Sequence, residues 1–579
     1  MSTDRSTGTT EPRRPIRIAN ISGFYGDRLA AAREMLDGPD PVDVLTGDYL
    51  AELTMLILWK AQRKDPAAGY ATTFLRQLDD VLATCLDRGV KIVANAGGLA
   101  PLALGEQVRS MGARLGLSPS VAVVHGDDVR DLFGEGQALT ANAYLGGWGI
   151  ARGLAAGADV VVTGRVTDAA LVVGPAAWWH GWSTADWDRL AGAIVAGHVI
   201  ECGPQATGGN YSFIDELPDH RYPGFPIAEV EHDGSSIITK QPGTGGVVTP
   251  GTVTAQLLYE VGSPAYANPD AVARFDTIAL DSVGPDRVRI SGVRGEPAPA
   301  DLKVALNGTG GWRNTMTLVL TGLDIEAKAD RAVAMLSEVL GGFEQFADHH
   351  IELVRSDHID ADTNAAATAQ LRITVKDPDS QKVGRRFSGA VMELLLASYA
   401  GAFASTPPTP PSEYGVYRPA LVPATSVHHT VQLPDGSSVV VPHPQASECV
   451  DIAEPPSVAP WIDGGPTRRA PLGAICGARS GDKGGNANVG LWTRSDESYR
   501  WLRSTLTVEC FRTLLPEARD LRVERFELPN LRALNFVVEG ILGDGVASSV
   551  RFDAQAKGLG EYLRSRYLDV PEALLARTT

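Results

Sequence analysis

The sequence predicts an α/β protein, with a large N-terminal domain built on a mainly parallel sheet flanked by helices and a small C-terminal α/β sandwich domain. Three observations carry that expectation. Short apolar runs recur and end in turns rich in Gly, Asp and Thr, and segments of helical spacing separate one run from the next. A Pro-rich stretch, Glu454 to Pro466, divides the chain before a last group of strands and helices. The organisation read from these features is a disordered tail at 1–15, an N-terminal domain at 16–453 with an α+β subregion at 271–400, a linker at 454–468 and the small domain at 469–579.

The first run, Ile16 to Ile21, alternates as a strand, passes through a turn at Ser22 to Asp27 and leads into helical spacing at Arg28 to Leu36. That turn lacks the G-x-G-x-x-G spacing and an acidic residue placed to hold a ribose, which weighs against a dinucleotide site. Val42 to Leu45 then runs into Thr46, Gly47 and Asp48; Lys91 to Asn95 runs into Gly97 and Gly98; Val121 to Val124 runs into Asp127 and Asp128. Val160 to Val162 breaks at Gly164 and carries Arg165, Thr167 and Asp168 onto the turn beyond. Right-handed crossovers between parallel strands collect all five turns at one sheet edge, where open α/β sheets hold ligands. One such turn is what any tight connection uses, whereas five together with a charged Arg165 indicate a ligand site. Neighbouring Asp127 and Asp128 should point apart, so a proton shared between them is not expected.

His198, Glu201 and Cys202 follow at i, i+3 and i+4, a spacing that sets them on one helix face. They lead into Gln205 and the loop Thr207, Gly208, Gly209 and Asn210, which Thr244, Gly245 and Gly246 echo after a hairpin that ends at Lys240. Both loops offer backbone N–H groups unobstructed by a Cβ and could cradle a carboxylate, a phosphate or a developing oxyanion, with Lys240 supplying positive charge. Further on, the stretch Ser405 to Pro411 is too rich in proline for regular structure. In the small domain a strand at Leu472 to Cys476 enters a polar turn with Arg479 and Lys483, which reads equally as an anion grip or as a turn holding an interface.

Composition narrows the function classes. A net charge of −17 over 579 residues is the wrong sign for a protein that displaces counterions from nucleic acid. No run reaches the roughly 18 apolar residues of a membrane span, and residues 1–15 have no apolar core of a secretory signal. The five cysteines, Cys85, Cys202, Cys449, Cys476 and Cys510, contain no CxxC pair, which fits a cytoplasmic protein without a disulfide framework or structural zinc. Size and the Pro-rich arm make a homo-oligomer the expected state, with a small molecule as partner and neither nucleic acid nor membrane.

The motifs Asn95-Ala-Gly-Gly98, Gly126-Asp-Asp128, Ala141 to Gly146, Gly164 to Asp168, Gly197-His198 with Glu201 to Gly203 and Gln205, Thr207 to Asn210, and Lys240 with Thr244 to Gly246 resemble the N-terminal domain of the acyclic terpene utilisation A (AtuA) family. Arg479 to Lys483, Leu534-Asn535-Phe536 and Lys557-Gly558 are similar to the small C-terminal domain that family often carries. The resemblance covers nearly everything from Ile16 to Pro571, with one departure at Ala100, where the family pattern has Asn. It implies a branched acyl-thioester or carboxylic acid as the substrate class and leaves the reaction open.

Chemistry at a carbonyl compound needs a positioned acid or base and donors facing an enolate oxygen. The leading expectation is therefore a hydratase, dehydratase or carbon–carbon lyase. Asp168 or Glu201 would be the base, His198 its acid/base partner, and Arg165 and Lys240 the holders of a carboxylate or oxyanion. Asn95, Gly97, Gly98, Asp127, Asp128, Thr167, Gln205, the two glycine loops, Arg479 and Lys483 would complete substrate binding. Three alternatives stay open: acyl transfer or hydrolysis through Cys202, a divalent metal on His198, Glu201 and Asp168, and a non-catalytic binding or scaffold subunit. No cofactor is called for.

Overall fold

The computed structural model describes residues 13–134, 136, 138–405, 407–444, 458–462 and 465–576. Residues 1–12 of the expected tail and 454–457 and 463–464 of the expected linker lie outside the described residues. The chain divides into two compact units, one comprising Met1–Asn307, Tyr417–Val546 and Gln555–Thr579, the other Gly308–Val416 and Ala547–Ala554.

Alternation of side chains along five short strands sets the core of the first unit. Strands β1 (Ile16–Ser22), β2 (Val44–Gly47), β3 (Lys91–Ala94) and β4 (Val121–His125) join β6 (Val160–Thr163) in one sheet, while β5 (Thr140–Ala143) pairs elsewhere. The five run parallel in the order β1-β2-β3-β6-β4. Ala19, Leu45, Ile92, Val123 and Val162 face α1 (Ala31–Asp37), α3 (Thr72–Arg88) and α4 (Pro101–Arg114), through Met35, Phe74 and Leu104; α2 (Glu52–Lys64) comes between α1 and α3 in the chain. Their neighbours Ile18, Val44, Val93, Val124 and Val161 face α5 (Trp148–Ala155), α6 (Ala170–His180) and α7 (Trp187–Ile200), through Ile150, Leu171 and Ile194. A strand buried on both sides reads as a continuous apolar run, which is how β4 and β6 read, while β1 alternates.

The sheet as a whole is mixed, and this corrects the expectation of a mainly parallel one. Strand β7 (Pro226–Val230) runs antiparallel to β1, β8 (Ser236–Lys240) antiparallel to β7, and strands Arg287–Ser291 and Ala279–Gly284 extend that edge. At the other edge Thr430–Gln432 and Ser438–Val440 add two further antiparallel strands beside β4, for eleven in all. The physical reason is connection length. The turn between β7 and β8 is tight, with Gly234 at φ +88°, and only antiparallel strands can be joined so briefly.

Helix placement marks a switch point in the sheet. The connection after β3 leads to α4 on one face of the sheet, and the connection after β6 leads to α6 on the other. Adjacent strands whose connections part in this way leave a gap at their carboxyl ends, the usual ligand position in open α/β sheets. Close backbone approach there demands glycine: the Gly97 N–H donates to the Thr163 carbonyl at 2.9 Å. A Cβ on Gly97 would come within 2.5 Å of that oxygen, and one on Gly164 within 2.2 Å of Asp127 Oδ1.

The small domain belongs to the same unit. Its antiparallel sheet runs in the order Cys476–Lys483, Asn486–Thr493, Ala533–Val538, Val523–Leu528, and helices Asp496–Thr505, Val508–Leu514 and Leu559–Ser565 help bury its core. Arg479 to Lys483, expected in a turn, lie in its first strand. The reversal falls instead at Gly484 and Gly485, where Gly484 takes φ +63°. In the second unit, strand Thr368–Asp377 pairs with Asp348–Val354 and with residues 312–321 of strand Asp301–Thr321, under helix Ile325–Leu340. Among the described residues no helix is long and apolar enough to cross a membrane.

Gly164→Ala should lower the melting temperature by several degrees, corresponding to overpacking of about 1–3 kcal/mol, because Asp127 is buried and cannot retreat. Gly389→Ala, in helix Arg385–Glu393 with nothing within 4 Å, should raise it, so matched thermal melts that show both variants unchanged would contradict this packing.

Candidate active site at the sheet switch point

Two turns from different strands bring the first polar groups together. Asp48, just past β2, accepts a 2.6 Å hydrogen bond from Asn95 Nδ2, and Asn95 Oδ1 in turn accepts the Tyr49 N–H at 2.7 Å. Asn95 therefore aims Asp48 rather than offering its amide to a ligand. Asp127 Oδ2 accepts from the Arg165 N–H at 2.9 Å and from Asn142 Nδ2 at 2.8 Å, which ties the turn after β4 to the turn after β6. Asp128 points away to solvent and pairs with Arg130 at 2.7 Å, as adjacent residues of an extended turn must.

Arg165 lies at the centre, only 3% exposed. Its guanidinium donates to the Leu50 carbonyl, stands 3.1 Å from Asp168 Oδ1 and lies 4.4 Å above the Tyr144 ring. Burial opposes its charge, and Asp168, Tyr144 and Asp48 more than restore it. The Asp48 and Asp168 charges oppose one another within the cluster. Burial first, and then the Asp168 charge, hold the Asp48 carboxyl well above the usual carboxylate range; burial likewise raises Asp168, against the pull of Arg165.

The last turn of α7 supplies the next pair. His198 Nδ1 lies 3.2 Å from Glu201 Oε1, close but not aligned as a hydrogen bond, so both ring nitrogens and Glu201 Oε2 are buried without a hydrogen-bond partner. His198 packs between the rings of Tyr266 and Phe275, at 5.2 and 5.5 Å. Burial pushes its pKa down to about 4, and burial together with Asp168 and Glu260 pushes Glu201 well up. Burial thus favours the uncharged form of both members of the pair. Cys202 follows the carbonyl end of α7, and burial, Glu201 and Glu260 all raise its thiol. Thr167 lies on the turn after β6, its Oγ1 buried without a partner.

The small domain closes the cluster. Arg479 donates to Gln205 Oε1 and lies 4.3 Å above the Tyr259 ring; Lys557 donates to the Tyr259 hydroxyl and stands 3.9 Å from Glu260. Lys483 Nζ donates to the Glu260 carbonyl at 2.8 Å. Glu260, just beyond α8 (Pro250–Leu257), has φ +56° and a side chain 36% exposed.

The glycine loops spend polar groups on the surrounding backbone. Thr207 Oγ1 donates to the Gly224 carbonyl, the Val247 N–H to the Thr207 carbonyl, and the Gly209 N–H to the Pro204 carbonyl. A Cβ on Gly246 would lie 2.2 Å from the Thr207 carbonyl, and one on Gly208 2.7 Å from Leu217, so tight packing accounts for both glycines. Lys240 donates to the Thr244 carbonyl at 2.9 Å and stands 3.2 Å from Asp286, while Gly245 accepts the Gly224 N–H and Asn210 is exposed in the left-handed region. Gly97 serves the close approach of β3 and β6, whereas Gly98 packs against Leu58 and the Gly69 carbonyl. Among the described residues no three His, Cys, Asp or Glu side chains converge as a set that could hold a metal.

Sequence reasoning therefore passed over two residues that the structure sets in the cluster. Asp48 was legible as a carboxylate at a strand's carboxyl end; Glu260 carried no local signal, since its position depends on the small domain.

Asp, Glu, His and Arg side chains thus gather at the carboxyl ends of the strands of an α/β protein, and a small antiparallel domain adds Arg479, Lys483 and Lys557. The chain belongs to the acyclic terpene utilisation family, protein AtuA, whose family model matches residues 16–433, and residues 470–569 match the AtuA ferredoxin-like domain. No curated protein and no solved structure matches it.

The raised thiol gives a direct check on the cysteine alternative. Iodoacetamide at pH 7.5 should alkylate Cys202 at least about tenfold more slowly than a free thiol, followed by peptide mass spectrometry. A rate at or above that of free cysteine would restore Cys202 as a nucleophile.

Proposed function

We propose that this protein is a lyase of the hydratase or dehydratase type, acting by acid/base chemistry on a branched acyl-thioester or the corresponding carboxylic acid. The observation that carries the reading is the crowding of Asp48, Asp168 and Glu201 around one buried guanidinium, with Glu201 Oε2 and His198 left without partners. Buried carboxyls with raised affinity for protons, next to polar atoms that lack partners, cluster at sites of proton transfer. The substrate class comes from the family membership, which supports it without fixing it.

In the dehydration direction Asp168, kept the most ionised of the three by contact with Arg165, takes the proton from the carbon next to the carbonyl. Glu201, held neutral, gives its proton to the departing β-hydroxyl, which leaves as water. One C–H and one C–O bond break, one C=C bond forms, and a proton moved from Asp168 back to Glu201 restores the starting state. Neutral His198 beside Glu201 is the group best placed to assist that return. Hydration runs the same steps backwards. The raised thiol of Cys202 and the carbonyl end of α7 beside it disfavour acyl transfer.

The purified protein should be incubated, with and without EDTA, against branched β-hydroxyacyl and enoyl thioesters and the free acids, with masses followed by LC-MS. A gain or loss of water by one compound is expected, reduced by about 10²–10⁴-fold in Asp168→Asn and Glu201→Gln. Thioester loss without hydration would favour acyl transfer instead, and unchanged masses throughout would favour a binding or scaffold subunit.

A further inference from the structure

We infer that Glu260 is a further catalytic carboxylate of this site, and that Asn488 and Asn535 of the small domain hold it in place through a strained turn. The inference rests on the proposed lyase reading for its reaction, and on the following geometry for its placement.

The chain leaves α8 through Leu258, Tyr259 and Glu260, and Glu260 takes φ +56°, a conformation costly for a residue with a Cβ. Nothing local requires that sacrifice, since Glu has no side-chain bond to its own backbone that favours the left-handed region, unlike Asn or Asp. The restraint comes from the small domain. Asn488 Oδ1 accepts the Glu260 N–H at 2.8 Å, and Asn488 Nδ2 donates to the Leu258 carbonyl at 2.6 Å. Asn535 Nδ2 donates to the Val261 and Gly262 carbonyls at 2.8 and 2.7 Å, and Asn535 Oδ1 accepts from Asn488 at 2.9 Å. Both asparagines are fully buried, on neighbouring strands of one sheet, so the clamp is rigid.

What the clamp presents is a carboxylate in the wrong company for a structural role. Glu260 stands 3.9 Å from Lys557, a loose pairing, and Lys483, which donates to the Glu260 carbonyl at 2.8 Å, lies 6.0 Å above the Tyr266 ring that packs 5.2 Å from His198, so the turn borders the His198–Glu201 pair; its charge raises the proton affinity of Asp168, Glu201, Cys202 and Tyr266. It also reaches His198, whose two ring nitrogens are buried without partners, as is Glu201 Oε2. These unsatisfied groups, on a fully buried ring and a carboxyl 6% exposed, point to a ligand among them. The facing charges from the other elements are Arg165, Lys483, Lys557, Arg479 and Lys303. Strain together with like-charge crowding is a cost that a folded protein keeps where function requires it.

Glu260→Gly and Glu260→Gln separate function from structure. Glycine relieves the left-handed strain, so Glu260→Gly should melt no lower than wild type between pH 6 and 8, while turnover of the substrate found by the thioester panel falls about 10²-fold or more. Glu260→Gln should lose turnover similarly and move the acidic limb of the residual pH–rate profile to lower pH, because Asp168 and Glu201 lose a neighbouring negative charge. A melting temperature for Glu260→Gly several degrees below wild type would make Glu260 a structural ion-pair partner and overturn the inference. So would wild-type turnover in either variant. If no compound of the panel reacts, the lyase reading falls by itself, and the melting comparison alone then decides whether the strained carboxylate is a structural or a functional feature.

Discussion

Everything at the switch point follows from one buried guanidinium. Arg165 sits at the turn where the connections of β3 and β6 part, and water reaches almost none of it. A charge so placed is tolerable only with partners at hydrogen-bond or ring-stacking distance, and breaking such a pair from one side costs about 3–5 kcal/mol. Leu50, Asp168 and Tyr144 meet that requirement. The same demand explains the glycines: the turns after β3, β4 and β6 must come close enough to surround Arg165, and a Cβ at Gly97 or Gly164 would hold them apart.

One guanidinium cannot neutralise three carboxylates. Asp48 and Glu201 are buried and Asp168, beside the guanidinium, is half-buried, so the low-dielectric surroundings raise the proton affinity of all three instead. The sign of the consequence for stability follows. Their folded proton affinities exceed the unfolded ones, so the stability they contribute is present in acid and is lost as pH rises from the unfolded carboxylate range through the folded values. His198 acts in the opposite direction: with its folded pKa down to about 4, stability is gained as pH rises from there to the unfolded imidazole range. The small domain adds cations at the rim, and its Asn488–Asn535 clamp makes that rim part of the site rather than an appendage.

Much of the frame was legible in the sequence because the five central strands are buried on both faces, β4 and β6 reading as unbroken apolar runs and β1 as an alternating one. Their turns carry Asp48, Asn95, Asp127, Arg165 and Asp168, and the structure gathers these at one edge of the sheet. The direction of the outer strands was not legible: alternation along β7 and β8 tells which face is buried, not whether a neighbour runs parallel. The two glycine loops misled for a physical reason, since a glycine required by packing and one required by an anion look alike in sequence; here Gly246 meets a carbonyl and Lys240 is already engaged. Glu260 escaped notice because its conformation is imposed from some 230 residues away, by Asn488.

The account stands or falls on protons held by the buried carboxyls. Infrared difference spectroscopy of the whole protein at pH 8 reads this directly, because Asp127 and Asp270, raised only to about 6, are ionised there. Wild type should retain a protonated-carboxyl C=O band, and Asp48→Asn and Glu201→Gln should each remove part of it. A spectrum with no protonated carboxyl at pH 8, unchanged in both variants, would mean that these groups are ionised and that the site does not hold its protons as described.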